Sequence, residues 1–279
     1  MFHKYYHRWS GVWSFARTLF TILTIFLFIL FNKALSHAND SSVILEADNS
    51  VSNPPGVKQG PPAPPLHGPA SPKYLLGVST DATYVSRYIW HGLDYSYQKP
   101  VLQPEMILSL MNISAIVWLN YDFQSYNAVN EYDLTLQYSN KLGPTGISLG
   151  YTYLTYPHRN FSDSEEIWIQ ASYESVLNPT LGIHGDFRSE NGWYSNLGIS
   201  HYFDLPIGKL APAALLYYHS HCYGGTGFPA SEFNVADAIS FGQTTSTIKI
   251  SYYRALKDGD FQDLGDQVVY SFNLSWSLP

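Results

Sequence analysis

Charge is scarce in this 279-residue chain, where Asp, Glu, Lys and Arg together make up 13% of the residues, about half of the roughly 25% usual in globular domains. A chain so poor in charge cannot clothe an ordinary water-facing surface. Cysteine is nearly absent as well: the single Cys222 has no partner for an internal disulfide. Long apolar runs are missing after residue 31, whereas a membrane-spanning helix needs about 20 such residues. With a mean hydropathy of -0.13, a bundle of membrane helices is excluded. No phosphate loop, dinucleotide fingerprint or calcium loop occurs, and the sequence implies no cofactor.

Aromatic residues are plentiful instead, with 23 Tyr, 15 Phe and 7 Trp. The amino terminus has the form of an export signal. Lys4, Arg8 and Arg17 precede the apolar run "TLFTILTIFLFILF", and "SHA" supplies small residues at Ser36 and Ala38. Cleavage is expected after Ala38, making residues 1–38 a signal peptide. It would remove Lys4, Arg8, Arg17 and Lys33 and none of the 22 acids, moving the formal charge from -7 to about -11, which argues against nucleic acid as a partner. Residues 39–73 are polar and proline-rich and read as an extended linker. Such a segment also suits docking to a periplasmic partner.

From Tyr74 onward the apolar residues alternate, which is the strand signature. In "QVVYSFNLSWSLP", Val268, Tyr270, Phe272, Leu274, Trp276 and Leu278 share one face, opposite Gln267, Ser271, Asn273, Ser275 and Ser277. "EYDLTLQYSN" and "TTSTIKISYY" repeat the pattern. This reading gives about twelve strands, each near the roughly 9 to 11 residues that cross a bilayer at a tilt. The expected spans are 75–91, 102–110, 113–122, 131–140, 146–155, 165–175, 180–188, 193–203, 211–221, 232–241, 244–253 and 267–278. Longer connections such as "CYGGTGFPAS" alternate with shorter ones such as "MN" and "GQ". The expected fold over 74–279 is therefore an all-β, antiparallel up-and-down transmembrane barrel, with lipid outside and water inside. A soluble sandwich would put its charges outward and its apolar face inward.

The inward-facing inventory predicts a lumen lined by Asp81, Arg87, His91, Gln103, Glu105, Asp133, Glu166, Gln170, Glu174, His184, Asp186, Arg188, Glu232 and Lys249. Acids outnumber bases, so a pore so lined would mildly favour cations or neutral solutes and disfavour acidic sugars. Tyr84, Tyr88, Trp90, Tyr121, Trp193, Tyr252, Tyr270 and Trp276 are expected in aromatic girdles, where an apolar ring meets lipid and a polar atom meets water. Arg87 is expected to meet Glu105 across the first hairpin near the pore mouth.

Catalytic patterns are weak. "GISLG" around Ser148 matches the hydrolase G-x-S-x-G motif, yet alternation runs on into Tyr151 and Tyr153, where that motif needs a sharp strand-to-helix turn. His184 and Asp186 share a face, as do His219 and His221 beside Cys222, but nothing local completes a four-ligand metal set. The chain is therefore read as a non-enzyme without metal. It is expected to be a passive channel for small hydrophilic solutes in the bacterial outer membrane, inserted by the barrel-assembly machinery. The alternatives are a lipase- or protease-like barrel and a structural or adhesion barrel with a plugged lumen.

The stretch "SRYIWHGLDYSYQKPVLQPEM" resembles the amino-terminal signature of the TorF porin family, with Ser86, Tyr88, Gly92, Pro100 and Gln103 in the matching places. His91 stands where that family carries arginine. The resemblance implies an outer-membrane barrel with a channel role.

Overall fold

The structure is a computed structural model describing residues 76–124, 126–159, 161–256, 261 and 265–278. The expected signal peptide and linker lie outside the described residues. Ten of the barrel strands follow one another as β1 (Leu76–Val85), β4 (Val101–Leu110), β5 (Ile113–Asp122), β6 (Ala128–Leu142), β7 (Thr145–Thr155), β8 (Ser164–Tyr173), β9 (Thr180–Asp186), β10 (Gly192–Ser200), β12 (Gly208–Cys222) and β14 (Ala230–Phe241). β15 (Thr244–Ala255) and β16 (Gln267–Leu278) complete the twelve. Short pieces accompany them: β2 (Ile89–Trp90), β3 (Leu93–Asp94), β11 (Phe203–Leu205) and β13 (Gly225–Gly227).

Every neighbouring pair is antiparallel and consecutive, and two contacts close the sheet. β1 pairs with β16 through Val78–Leu278 to Val85–Ser271, and β10 pairs with β12 through Trp193–Ser220 to Ser200–Ala213. Closure leaves no open edge, as a backbone surrounded by hydrocarbon requires. β11 and β13 only extend the rim of β12. A bulge at Asn130 lets both Asn130 and Glu131 bury their side chains, since Asn120 faces Glu131 while Tyr121 faces Val129.

The alternation seen in the sequence becomes a division of faces. Leu136, Ile167, Ile248, Ile250 and Val268 are 57–62% exposed on the outer face. Their strand neighbours Thr135, Glu166, Lys249, Ser251 and Val269 are buried on the inner one. A belt of exposed Leu, Ile and Val around a whole molecule is not tolerated in water and is what lipid requires.

The first expected strand does not run to residue 91. Its ladder ends at Val85 opposite Val101, Ser86 is tied to Tyr270 in both directions, and the chain then turns into the bore. There it makes a two-residue hairpin, with Ile89 and Trp90 opposite Asp94 and Leu93. Its central residues, His91 (φ 46°) and Gly92 (φ 86°), are both left-handed, as a type I′ turn demands. Asp94 stabilises the return by accepting from the backbone N–H groups of Ser96 and Gln98 at 2.9 Å. Ser96 Oγ in turn accepts the Tyr88 N–H at 2.8 Å.

Gly92 is required twice over: a Cβ there would lie 3.0 Å from Ala230 Cβ and 3.2 Å from Pro229 Cγ, in a left-handed conformation. Gly92→Ala is expected to lift the hairpin tip off the wall at a cost of about 1–3 kcal/mol. Limited proteolysis of the folded barrel checks this, because faster cleavage within residues 88–98 should appear with the strand ladder intact.

Candidate functional site: the lumen and its inserted loop

The loop between β1 and β4 crosses the lumen near the end that carries the longer connections. Tyr88, Ile89, Trp90 and His91 are each 2–4% exposed. The Tyr88 ring lies 5.7 Å from Trp118 on β5, and its hydroxyl donates to Glu131 Oε1 on β6 at 3.4 Å. At the tip, the His91 ring lies 4.3 Å from Tyr194, 5.5 Å from His184 and 5.6 Å from Tyr217, on β10, β9 and β12. The His91 carbonyl is 3.0 Å from His219 Nε2. Burial pushes the His91 imidazole well below the usual histidine range, and the neighbouring imidazoles of His184 and His219 push the same way. The tip is therefore neutral at pH near 7. Arg159, from the connection between β7 and β8, donates to the Tyr95 carbonyl at 2.8 Å and lies over the Tyr95 and Phe161 rings, holding the loop from above.

Tyr88 and Trp90 were expected among the girdle aromatics and stand instead inside the bore, because the backbone bends after Val85 and breaks the two-residue period. Tyr84, Trp193, Tyr252, Tyr270 and Trp276 are exposed on the outer face, and Tyr121 is half-buried with its hydroxyl on Asn127. Two residues expected in the lumen lie elsewhere. Glu174 follows the end of β8 and pairs with Lys141 at the short-turn rim. Arg188 follows the end of β9 and pairs with Glu165 at 2.6 Å, over the Tyr153 ring. Arg87 pairs with Asp94 at 3.6 Å. The register puts Glu105 opposite Asp81, four residues before the ladder ends, so the expected Arg87–Glu105 pairing across the hairpin is not what forms.

Gln103, Glu105, Asp133, Glu166, His184, Asp186, Glu232 and Lys249 occupy buried inward positions on their strands, and Asp81 and Gln170 share that parity half-buried. Glu166 accepts from the Tyr194 and Tyr223 hydroxyls at 2.7 and 2.6 Å and lies 3.8 Å from His184 Nδ1. Asp186 accepts from Ser164 and caps the β9–β10 turn through the N–H groups of Arg188, Ser189 and Glu190. Sequence reasoning missed Trp118, Asn120, Tyr194 and Tyr217, and it put Glu131 on the polar face of its strand without counting it among the lumen residues. Trp193 faces out while Tyr194 faces in, so strand parity alone could have separated that pair.

The chemical alternatives meet local geometry that does not serve them. Ser148 lies on the straight ladder of β7 with its hydroxyl 2.9 Å from Ser139. His219 is buried while His221, with a left-handed φ of 54°, is exposed, so the two do not converge with the buried Cys222. Among the described residues no three His, Cys, Asp or Glu side chains are grouped to hold a metal ion.

A closed barrel with an apolar exterior and a polar, ionisable interior defines a membrane-spanning β-barrel. No family model and no curated protein matches the sequence. Among solved structures, the chain is similar to the KdgM porin in complex with disordered oligogalacturonate, at 9% identity and a TM-score of 0.49 over 73% of this chain and 99% of that one. It is similar to the NanC porin at 14% identity and a TM-score of 0.49, covering 72% and 100%. The COG4313 outer membrane channel from Pseudomonas putida F1 follows at 11% identity and a TM-score of 0.46, covering 73% and 95%.

Proposed function

We propose that this chain is a bacterial outer-membrane channel that passes small hydrophilic solutes by passive diffusion, with a mild preference for cations and neutral molecules over anions. The observation that carries this reading is a closed barrel whose inner wall stays polar beneath the inserted loop, through Asp81, Glu105, Asp133, Gln170, Asn234 and Asn273. Fixed charge of one sign lining a bore sets which ions enter it. Export by the amino-terminal signal and insertion by the barrel-assembly machinery complete the proposal, and the TorF-like motif supports it by supplying the turn that seats the loop.

The seated loop favours one rival, a structural barrel closed at its mouth. Planar bilayers containing the heat-modifiable, folded chain separate the two. The channel reading predicts discrete conductance steps and a reversal potential favouring potassium over chloride in a salt gradient. Silent bilayers with verified insertion would establish the structural barrel instead.

A further inference from the structure

The wall formed by β4, β5 and β6 carries an arrangement that channel formation by itself does not require. Register sets Asn120 opposite Glu131 and Trp118 opposite Asp133, and Glu105 opposite Trp118. Gln103 Nε2 donates to Asn120 Oδ1 at 3.1 Å. Two rows result: Gln103, Asn120 and Glu131 nearer the loop, and Glu105, Trp118 and Asp133 one step deeper, each at most 4% exposed. Tyr88 roofs the patch through its contacts with Trp118 and Glu131.

Several polar atoms of this patch have no partner among the described residues: both carboxylate oxygens of Asp133, Glu131 Oε2, Gln103 Oε1 and the Trp118 indole N–H. Buried carboxylate oxygens left unmatched are costly, and a cation with several donors would relieve that cost. Arg159 acts on Glu131 through its charge, but among the described residues it makes no ion pair with Glu131 or Asp133, its guanidinium being held by the Tyr95 carbonyl and the Tyr95 and Phe161 rings. A metal ion suits the patch poorly, because an indole N–H and two aromatic rings offer it nothing.

We propose that this patch is a subsite for solutes bearing a guanidinium group, an inference that rests on the channel reading and names its solute class. The planar fork matches the two buried, unpartnered oxygens of Asp133 as a bidentate pair. Its remaining N–H groups reach Glu131 Oε2 and Gln103 Oε1, and its flat face packs against the Trp118 and Tyr88 rings. The Trp118 N–H donates to a neutral oxygen next to the cation, such as an amide carbonyl.

Calorimetric titration of the full-length, detergent-folded chain tests this without requiring conductance. L-Arginine amide is expected to bind. L-Citrulline amide, its uncharged isostere, is expected to bind at least about tenfold more weakly, the factor that follows from losing a charge-assisted hydrogen-bonded pair. L-Lysine amide, with charge but no fork, falls between them. Asp133→Asn is expected to weaken arginine amide by about tenfold. Gln103→Met, which removes one acceptor, should weaken it several-fold, and serves if Asp133→Asn loses its heat-modifiable fold. Glu174→Gln, at the short-turn rim outside the patch, should leave binding unchanged. Equal affinities for arginine and citrulline amides, lysine amide matching arginine amide, or full-strength binding by Asp133→Asn would each overturn the subsite. Conductance without binding removes the subsite alone, and binding without conductance removes the channel alone.

Discussion

Replacing residues 88–98 by a short Gly-Ser linker is expected to raise single-channel conductance several-fold. The loop contributes no rung to the barrel. The ten pairs between β1 and β4 run from Leu76–Leu110 to Val85–Val101, so the ladder closes with or without the segment. What the loop adds is a row of rings across the bore, from Tyr88 against β5 and β6, through Trp90 and His91 against β10 and β12, to Gly92 against Ala230 at the start of β14. A twelve-stranded barrel is narrow because diameter grows with strand number, and rings spanning it remove most of the remaining cross-section.

The exchange also has a cost in stability. Trp118, Tyr194 and Tyr217, at most 1% exposed with the loop in place, would face lumen water, and each buried aromatic gives up about 1.5–3 kcal/mol when exposed. The variant should therefore melt earlier while conducting more. Conductance equal to that of the parent chain, in a variant whose folding is verified by heat-modifiable migration, would show that the solute path bypasses the loop or that the loop already swings clear.

The barrel was legible in the sequence because its physics is periodic. Lipid outside and water inside force alternation on every strand, and Tyr270 to Leu278 displayed it without interruption. The loop was illegible for the same reason. Tyr84, Tyr88 and Trp90 keep the same parity, so extending the period through Ser86 and Arg87 put all three on lipid. Only the ladder's end at Val85 and the paired left-handed residues His91 and Gly92 reveal the bend. A His-Gly dipeptide is a weak hairpin signal beside Asn-Gly, and here the barrel wall supplies the specificity that the dipeptide lacks. Glu174 and Arg188 were misplaced because β8 and β9 stop at Tyr173 and Asp186, short of where alternation was extrapolated. Asn130 was hidden by the bulge, since alternation from the inward Glu131 puts it on the outer face, whereas the extra residue lets both bury their side chains.

Breaking the buried pair of Glu232 and Lys249 is expected to produce the largest loss of stability in the lumen. Lys249 sits opposite Ala236, while Glu232 sits opposite Tyr253. The lysine stem therefore extends along the wall, past the small Ala236, to place Nζ 2.9 Å from Glu232 Oε1, with the two side chains 6% and 0% exposed. The carboxylate also accepts from the Tyr217 hydroxyl at 2.6 Å and from Ser251 Oγ and Asn234 Nδ2 at 2.9 Å. Lys249→Met removes the only full positive charge among these donors, and removing one member of a buried pair costs about 3–5 kcal/mol. Glu232→Gln should cost a similar amount by stranding the ammonium. The double variant is expected to recover much of the loss, since neither charge is then left alone and Met and Gln keep the volume. Urea unfolding of the lipid-folded barrel, followed by tryptophan fluorescence, measures all three. Raising the salt from about 0.1 to about 1 M should change the single-variant losses little, because screening acts on exposed charges and hardly on buried ones. Losses that simply add in the double variant, or that vanish at high salt, would mean that the pair is solvated and that the wall beside β12 stays wet beneath the loop.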